Sequence, residues 1–410
     1  MSRRAALAPL AAGLVLAAAG AWHLDHEWTR QRILRPLARS AARQQALAAA
    51  GAAVLAEQVE RAARKVGDAP ALMQGADILA DLSLSATETD LARDLRRRTL
   101  ALAQAALRRS PGGARAHLLA AAVLTDLGGH PVRADWHLSR AAALDPFRGS
   151  LQRRIGLIEL ARGQDSRAAD HLRAALRAAP GEAPELYDAL DLASTSLTPR
   201  DVTPPTPRAQ VALGSWLDRG GDQPGARHAL ETALSLADRS AGTADGRRVA
   251  FWAYRVLESN HFRHARFQAA RDLAAARLAA GRFTGAAEEA LLAYHQGTAL
   301  VRMKKHEAAL PWLEKAAHLE PSVVSLDALA RCQVTLARHR EAAESWRRAL
   351  LLPRRSPGEM QREVPMRLGR AASLAHTGSR PEALRELQRV LARDPVNRRA
   401  RKLAREIPYE

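Results

Sequence analysis

Cysteine occurs once in 410 residues, aromatic residues make up 4%, and beyond the amino terminus no long run is free of charge. The lone Cys332 excludes an intramolecular disulfide and any multi-cysteine metal site. It lies in the helical pattern "LDALARCQVTLA" beside apolar positions and reads as a small packed residue. Scarce aromatics weigh against sheets, whereas the small apolar residues that dominate the 47% hydrophobic content suit closely packed helices. The expected class is all-α.

Catalytic motifs are missing too. The sequence has no Walker-type glycine loop, no GxGxxG, no GxSxG elbow and no HExxH. "GGAR" at 112–115 and "DRGGDQPG" at 218–225 read as turns, and Glu288/Glu289 as helix surface. With no nucleophile–base pair in view, a non-catalytic protein without a cofactor is expected. His261 and His264 in "NHFRHARF" stand three apart and could share one side of a helix. Nothing at a fitting spacing completes a ligand set, so no metal site is expected.

Charge is abundant and lopsided. The 62 Lys+Arg against 43 Asp+Glu give +19, which favours acidic partners. The basic residues are interleaved with acids, as in "ALRELQRVLARDP", the pattern of solvated helix faces. A basic helical-repeat nucleic-acid binder is an alternative reading. It would need a base-reading set in each unit, and none is visible.

The one long uncharged run is residues 5–22, preceded by Arg3 and Arg4, closed by Trp22 and followed by Trp28. It is short for a membrane helix, which needs roughly 20 residues. The expected reading is a signal anchor with interfacial tryptophans; Ala19-Gly20-Ala21 leaves a cleaved signal peptide as the alternative. His23, Asp25, His26 and Glu27 then form a polar interfacial collar. A short basic head before a large domain leaves the head inside and exports the rest. The expected location is thus the inner (cytoplasmic) membrane, single-pass, with the bulk periplasmic or otherwise extracytoplasmic.

A period organises the remainder. An alanine five residues before a proline recurs as Ala106/Pro111, Ala141/Pro146, Ala175/Pro180 and Ala316/Pro321, and Val390/Pro395 repeats the spacing. The first three prolines are 35 and 34 residues apart, which marks a repeated two-helix unit. The unit ending at Pro180 carries Gly156, Gly163, Ala168, Leu172 and Ala175; that ending at Pro321 carries Gly297, Ala309, Leu313 and Ala316. Segment 207–240 gives Gly214, Ala226, Leu230 and Ala233; segment 323–356 gives Ala330, Ala342, Trp346 and Ala349; segment 364–397 gives Ala371, Gly378, Ala383 and Leu387.

On these residues the chain resembles the tetratricopeptide repeat family, in its membrane-anchored bacterial type. The matched features are a small residue at the eighth position, alanine at the twentieth, a large apolar residue at the twenty-fourth, a small one at the twenty-seventh and proline at the thirty-second. The resemblance implies a right-handed superhelical solenoid of antiparallel helix pairs, preceded here by the N-terminal hydrophobic helix. One pair cannot bury its own apolar face, whereas stacked pairs form a continuous core.

The expected organisation is an anchor or signal over 1–22, a helical stalk or cap over 23–79, repeats over 80–193 and a Pro/Thr-rich connector over 194–208. Further repeats cover 209–397 with loops at 237–247 and 352–363, and a capping helix covers 398–410. "FWAYRVLESNHFRHARFQAARDL" fits a helix pair with Trp252, Ala253 and Ala265 in place but without the proline, and residues 274–289 blur the phase.

In the resembling family the first helix of each pair lines a binding groove through its second, fifth, ninth and twelfth to thirteenth positions. Carried across, this points Arg153, Arg208, Arg219, Tyr254, Tyr294, Arg302 and Arg331 at a partner. Arginines with an occasional tyrosine suit an acidic peptide or a chain-terminal carboxylate. The family's Lys- and Asn-based carboxylate clamp is not recognisable. The expected role is a membrane-tethered scaffold for a partner protein or peptide in an envelope assembly. An accessory role in polysaccharide or lipopolysaccharide assembly or secretion is the alternative.

Overall fold

Alanine-rich segments of 13 to 21 residues, stopped by glycine or proline, become helices throughout the computed structural model, which describes residues 49–86, 88–192, 195–281, 285–353 and 356–407. No strand occurs among them. The apolar run 5–22 and its polar collar lie outside the described residues. Within them, no helix is long and apolar enough to cross a membrane. The chain divides into two compact units, Met1–Pro204 and Pro205–Glu410.

In the first unit the helices are α1 (Ala49–Val66), α2 (Ala69–Ser85), α3 (Thr89–Arg109), α4 (Ala114–Leu127), α5 (Pro131–Leu144), α6 (Gly149–Ala161), α7 (Asp165–Ala178), α8 (Ala183–Leu192) and the short α9 (Pro199–Val202). The expected boundary between cap and repeats, at 79/80, falls inside α2, because Asp68 caps that helix through the Ala71 N–H and nothing interrupts it before Ser85. α3 buries Ala92, Leu95, Thr99, Leu102, Ala103 and Ala106, the three-to-four spacing of an amphipathic helix. Leu79, Leu95 and Leu102 centre this unit's core.

Residues 195–204 of the expected connector belong to this unit, and 207–208 open the first helix of the second. Thr198 caps α9 together with Asp201, whose Oδ2 accepts the Thr198 N–H at 2.8 Å and hydroxyl at 2.6 Å. The buried Tyr187 hydroxyl on α8 lies 2.7 Å from Thr203 Oγ1, which itself donates to the Pro199 carbonyl at 2.6 Å.

The second unit runs α10 (Pro207–Arg219), α11 (Gln223–Arg239), α12 (Ala244–Arg263), α13 (Phe267–Ala280), α14 (Ala286–Arg302), α15 (His306–Leu319), α16 (Val323–Thr335), α17 (His339–Leu351), α18 (Pro357–Gln361), α19 (Glu363–His376), α20 (Arg380–Arg393) and α21 (Arg398–Glu406). The expected loop 237–247 shrinks to four residues between α11 and α12, and α18 occupies 357–361 within 352–363. α21 is capped by Asn397, whose Oδ1 accepts the Ala400 N–H at 3.0 Å, and Ile407 behind it is buried.

Small residues sit where the two helices of a pair cross. A Cβ added to Gly156 would stand 2.7 Å from Leu172 Cδ2, and one at Gly214 would stand 2.7 Å from Leu230 Cγ. Seven units turn through a positive-φ residue at the fifteenth position, Gly129, Gly163, Gly221, Ala265, Lys304, Ala337 and Gly378, whereas the stretch ending at Pro111 does not, its fifteenth residue Asp94 lying inside α3. Three of the seven are not glycine, so this turn is imposed by the packing of the pair rather than by local freedom.

Candidate partner-binding face

The left-handed turn fixes the register of these seven units, and in one of them it corrects the sequence reading. Ala265 lies in the turn (φ 54°), not in a second helix. The unit built from α12 and α13 therefore starts at residue 251, five later than the alignment of Ala253 and Ala265 implies. Tyr254 consequently falls at a core-facing position instead of the ninth. It is fully buried and presents nothing to a partner.

This register exposes an exchange of large and small residues. At the eighth position, where the other units carry Ala122, Gly156, Gly214, Gly297, Ala330 and Ala371, this unit carries Glu258. At the twenty-fourth, where the others carry leucine or tryptophan, it has Ala274; at the twenty-seventh, where the others carry alanine or valine, it has Arg277. A carboxyl fills the crossing site, and the opposing bulk is removed to admit it. Accordingly α13 packs principally along α14 and only lightly on its own partner α12.

The buried carboxyl is met by α14. Glu258 Oε1 lies 3.5 Å from His295 Nδ1, and the Tyr254 hydroxyl lies 2.9 Å from the same nitrogen. Burial pushes the Glu258 carboxyl up to about 7 against the pull of Arg255. Burial also takes the His295 imidazole down to about 4, helped by Arg255. Burial raises Tyr254 further above its usual range, with Glu258 adding to it. Arg277 covers the Tyr254 ring at 5.8 Å and donates to Asp238 at 2.7 Å. Around neutral pH His295 is uncharged, and the raised Glu258 carboxyl exchanges between acid and carboxylate beside the Tyr254–His295 hydrogen bond.

The next first helices carry a second polar group at groove positions. Asp327, fifth in its unit on α16, is completely buried. It accepts Arg331 Nε at 3.0 Å, Trp346 Nε1 at 3.0 Å and Arg362 at 2.9 Å. The two arginine side chains remain 57% and 42% exposed, so both keep N–H groups toward solvent. Tyr294 on α14 is half-buried, and burial raises its hydroxyl, with Arg362 and Asp327 close enough to act on it. Arg331 and Tyr294 are thus brought together, as neighbours of one buried carboxylate.

The other expected residues are dispersed. Arg153 belongs to the first unit, where it bridges to Glu182 at 3.3 Å and Glu185 at 3.4 Å. Arg208 and Arg219 are exposed at opposite ends of α10, and Arg302 is exposed at the end of α14. His261 and His264 part company. His264 Nε2 reaches the buried Asp218 at 2.5 Å, alongside Asn260 at 3.0 Å and Arg263, while His261 is buried elsewhere. Among the described residues no group of three His, Cys, Asp or Glu side chains could hold a metal.

No protein-family model matches the sequence, and no curated protein matches it. Several solved structures do. YrrB, described as a TPR protein with an unusual peptide-binding site, is 18% identical over 48% of this chain and 91% of that chain, with a TM-score of 0.36. MamA is 16% identical over 46% and 92%, with a TM-score of 0.35. The Cut9–Hcn1 hetero-tetramer of the APC/C is 15% identical over 96% of this chain and 74% of that one, with a TM-score of 0.36.

Sequence reasoning missed Asp327, Arg362, Glu258 and His295. Asp327 stands at the fifth position of a well-aligned unit and could have been found there. Glu258 required the corrected register. Arg362 reaches Asp327 from 35 residues away, a pairing that only the fold creates.

Proposed function

We propose that the chain is a non-catalytic scaffold of tetratricopeptide type, tethered to a membrane through residues 5–22, that holds a partner protein or acidic peptide in an envelope assembly. The observation that carries this reading is the Arg331–Asp327–Arg362 group. One buried carboxylate orders two guanidiniums and leaves one positive charge in excess, with free N–H groups at the surface. A ligand carboxylate arriving there meets donors whose rotamers are already restricted, which lowers the ordering cost of binding. Tyr294 stands beside them, within electrostatic reach of Arg362 and Asp327.

Fluorescence anisotropy with a panel of labelled acidic peptides and their Asn/Gln counterparts tests the reading. Acidic members should bind in preference, and Arg331→Gln with Arg362→Gln should weaken them roughly tenfold, the loss of a charge-assisted pair. Equal binding of neutral and acidic peptides would reject it, as would tight, salt-resistant RNA binding. For the tether, a C-terminal topology reporter active only in the cytoplasm would reject the exported orientation.

A further inference from the structure

The loose packing of α12 against α13 leaves a cleft of about 970 Å³ between the successive second helices α11 and α13, floored by α12. Its walls are apolar at Leu234, Leu257 and Leu273. Its polar lining is unevenly matched. Asp238 is taken by Arg277 at 2.7 Å, and Asp272 by Arg271 and Gln268. Glu231 stands 3.8 Å from Arg227. On the basic side, Arg266 bonds only the neutral Asn260 through one terminal nitrogen, and its buried Nε has no partner. His261, 4% exposed, likewise has an unpartnered Nδ1.

These groups strain one another electrostatically. Burial pulls the His261 imidazole down to about 4, with Arg266 and then Arg227 adding to the effect. Burial and the neighbouring Arg227 lower Arg266 as well, against the pull of Asp218 and then Glu231. Arg227 and Arg266 thus crowd two buried nitrogens without hydrogen-bond partners, His261 Nδ1 and Arg266 Nε, beneath a leucine-lined opening. An anionic group would relieve both deficits: it offers an acceptor to Arg266 Nε and to His261 in its Nδ1–H tautomer, and offsets the repulsion between Arg227 and Arg266.

We propose that this second-helix cleft is a distinct binding site for a peptide carboxylate flanked by leucine-sized side chains, with Arg227, Arg266 and His261 as its anion-binding group and Arg239 at its rim. It lies away from the first-helix face and rests on the reading of the chain as a peptide-binding scaffold.

The test is a titration of the full chain, its histidine rings isotope-labelled, with the peptide Ac-Leu-Asp-Leu-Glu-Leu-NH2 and its Asn/Gln counterpart. The His261 ring signal, assigned by its loss in His261→Gln, should move saturably with the acidic peptide only. Arg266→Gln should weaken that response at least tenfold, and Arg239→Gln, an exposed change that leaves the fold intact, severalfold. Arg331→Gln should leave it unchanged. If the acidic peptide binds but the His261 signal stays still, or if Arg331→Gln alone abolishes the response, the cleft is overturned and the first-helix face stands. If the peptide binds nowhere, both fall. Movement with the neutral peptide to the same extent would overturn the carboxylate assignment.

Discussion

Gly297 of α14 lies so close beneath Leu313 of α15 that a Cβ on the glycine would stand 2.8 Å from both Leu313 Cγ and Cδ2. Gly297→Ala should therefore destabilise the second unit even though alanine favours the helix. Overpacking costs about 1–3 kcal/mol, and the gain in helix propensity offsets up to about 1 kcal/mol of it. Adding Leu313→Ala, itself worth about 2–5 kcal/mol, should make the double variant more stable than the sum of the singles predicts, because the new methyl enters the space vacated. Thermal denaturation of the four proteins measures this. Additivity within about 0.5 kcal/mol would mean that the two side chains do not compete for one space.

The same pairs explain how much of the fold could be read in advance. Ala175/Pro180 and its repeats encode the end of a second helix, and Gly156 with Leu172 encodes the crossing, so units that keep these residues place themselves. The unit of Glu258 and Ala274 keeps neither, and its missing proline removed the remaining anchor. Its turn was equally silent, since Ala265 adopts a left-handed conformation without the glycine that would announce it. A five-residue slip followed, and with it the mistaken exposure of Tyr254. For the candidate site, Arg331 and Tyr294 were legible because groove positions follow from the period. What joins them was not: burial of Asp327 and the reach of Arg362 depend on how successive units stack.

Replacing Glu258 should reveal its proton. The folded value of about 7 lies above the ordinary 4.5, so its contribution is complete below about 4.5 and is lost as pH rises through 7. His295, held near 4 against an ordinary 6.5, runs the other way: its contribution is present above 6.5 and is lost as pH falls through 4. The two slopes partly cancel in the native protein. Glu258→Gln, which keeps the shape next to His295, Tyr254, Arg255 and Arg277, removes only the first. The stability of the variant relative to the native chain should rise between pH 4.5 and 8 by about 3 kcal/mol at most. A difference that stays flat across that range would show that Glu258 is not held protonated.

Glu386 on α20 is 2% exposed and gathers three guanidiniums, Arg367 at 2.8 Å, Arg370 at 2.5 Å and Arg389 at 2.7 Å. Glu386→Ala leaves the largely buried Arg370 with only Glu382 at 3.9 Å, while Arg367 keeps Glu363 at 2.9 Å. Removing one partner of a buried ion group costs about 3–5 kcal/mol, which should lower the second unit's melting temperature by several degrees. Glu386→Gln retains an acceptor and should lose less. Equal melting of the native protein and Glu386→Ala would show that water, rather than Glu386, satisfies the arginines.

Tyr187→Phe should loosen the connector without disturbing α8. The variant keeps the ring in its buried slot and removes the 2.7 Å contact to Thr203, whose own hydroxyl still reaches Pro199. Losing a buried hydrogen bond costs about 1–2 kcal/mol. Because that bond ties Thr203 to α8, the cost should fall on local opening of residues 195–204 rather than on global unfolding. Trypsin cuts after the exposed Arg200, so nicking there should accelerate by roughly five- to thirtyfold if cleavage follows the population of the open form. A mass-spectrometric time course would show this as a fragment ending at Arg200. If that fragment forms at the native rate while the melting temperature falls, the hydroxyl stabilises the unit as a whole and the connector is held by burial of Val202 instead.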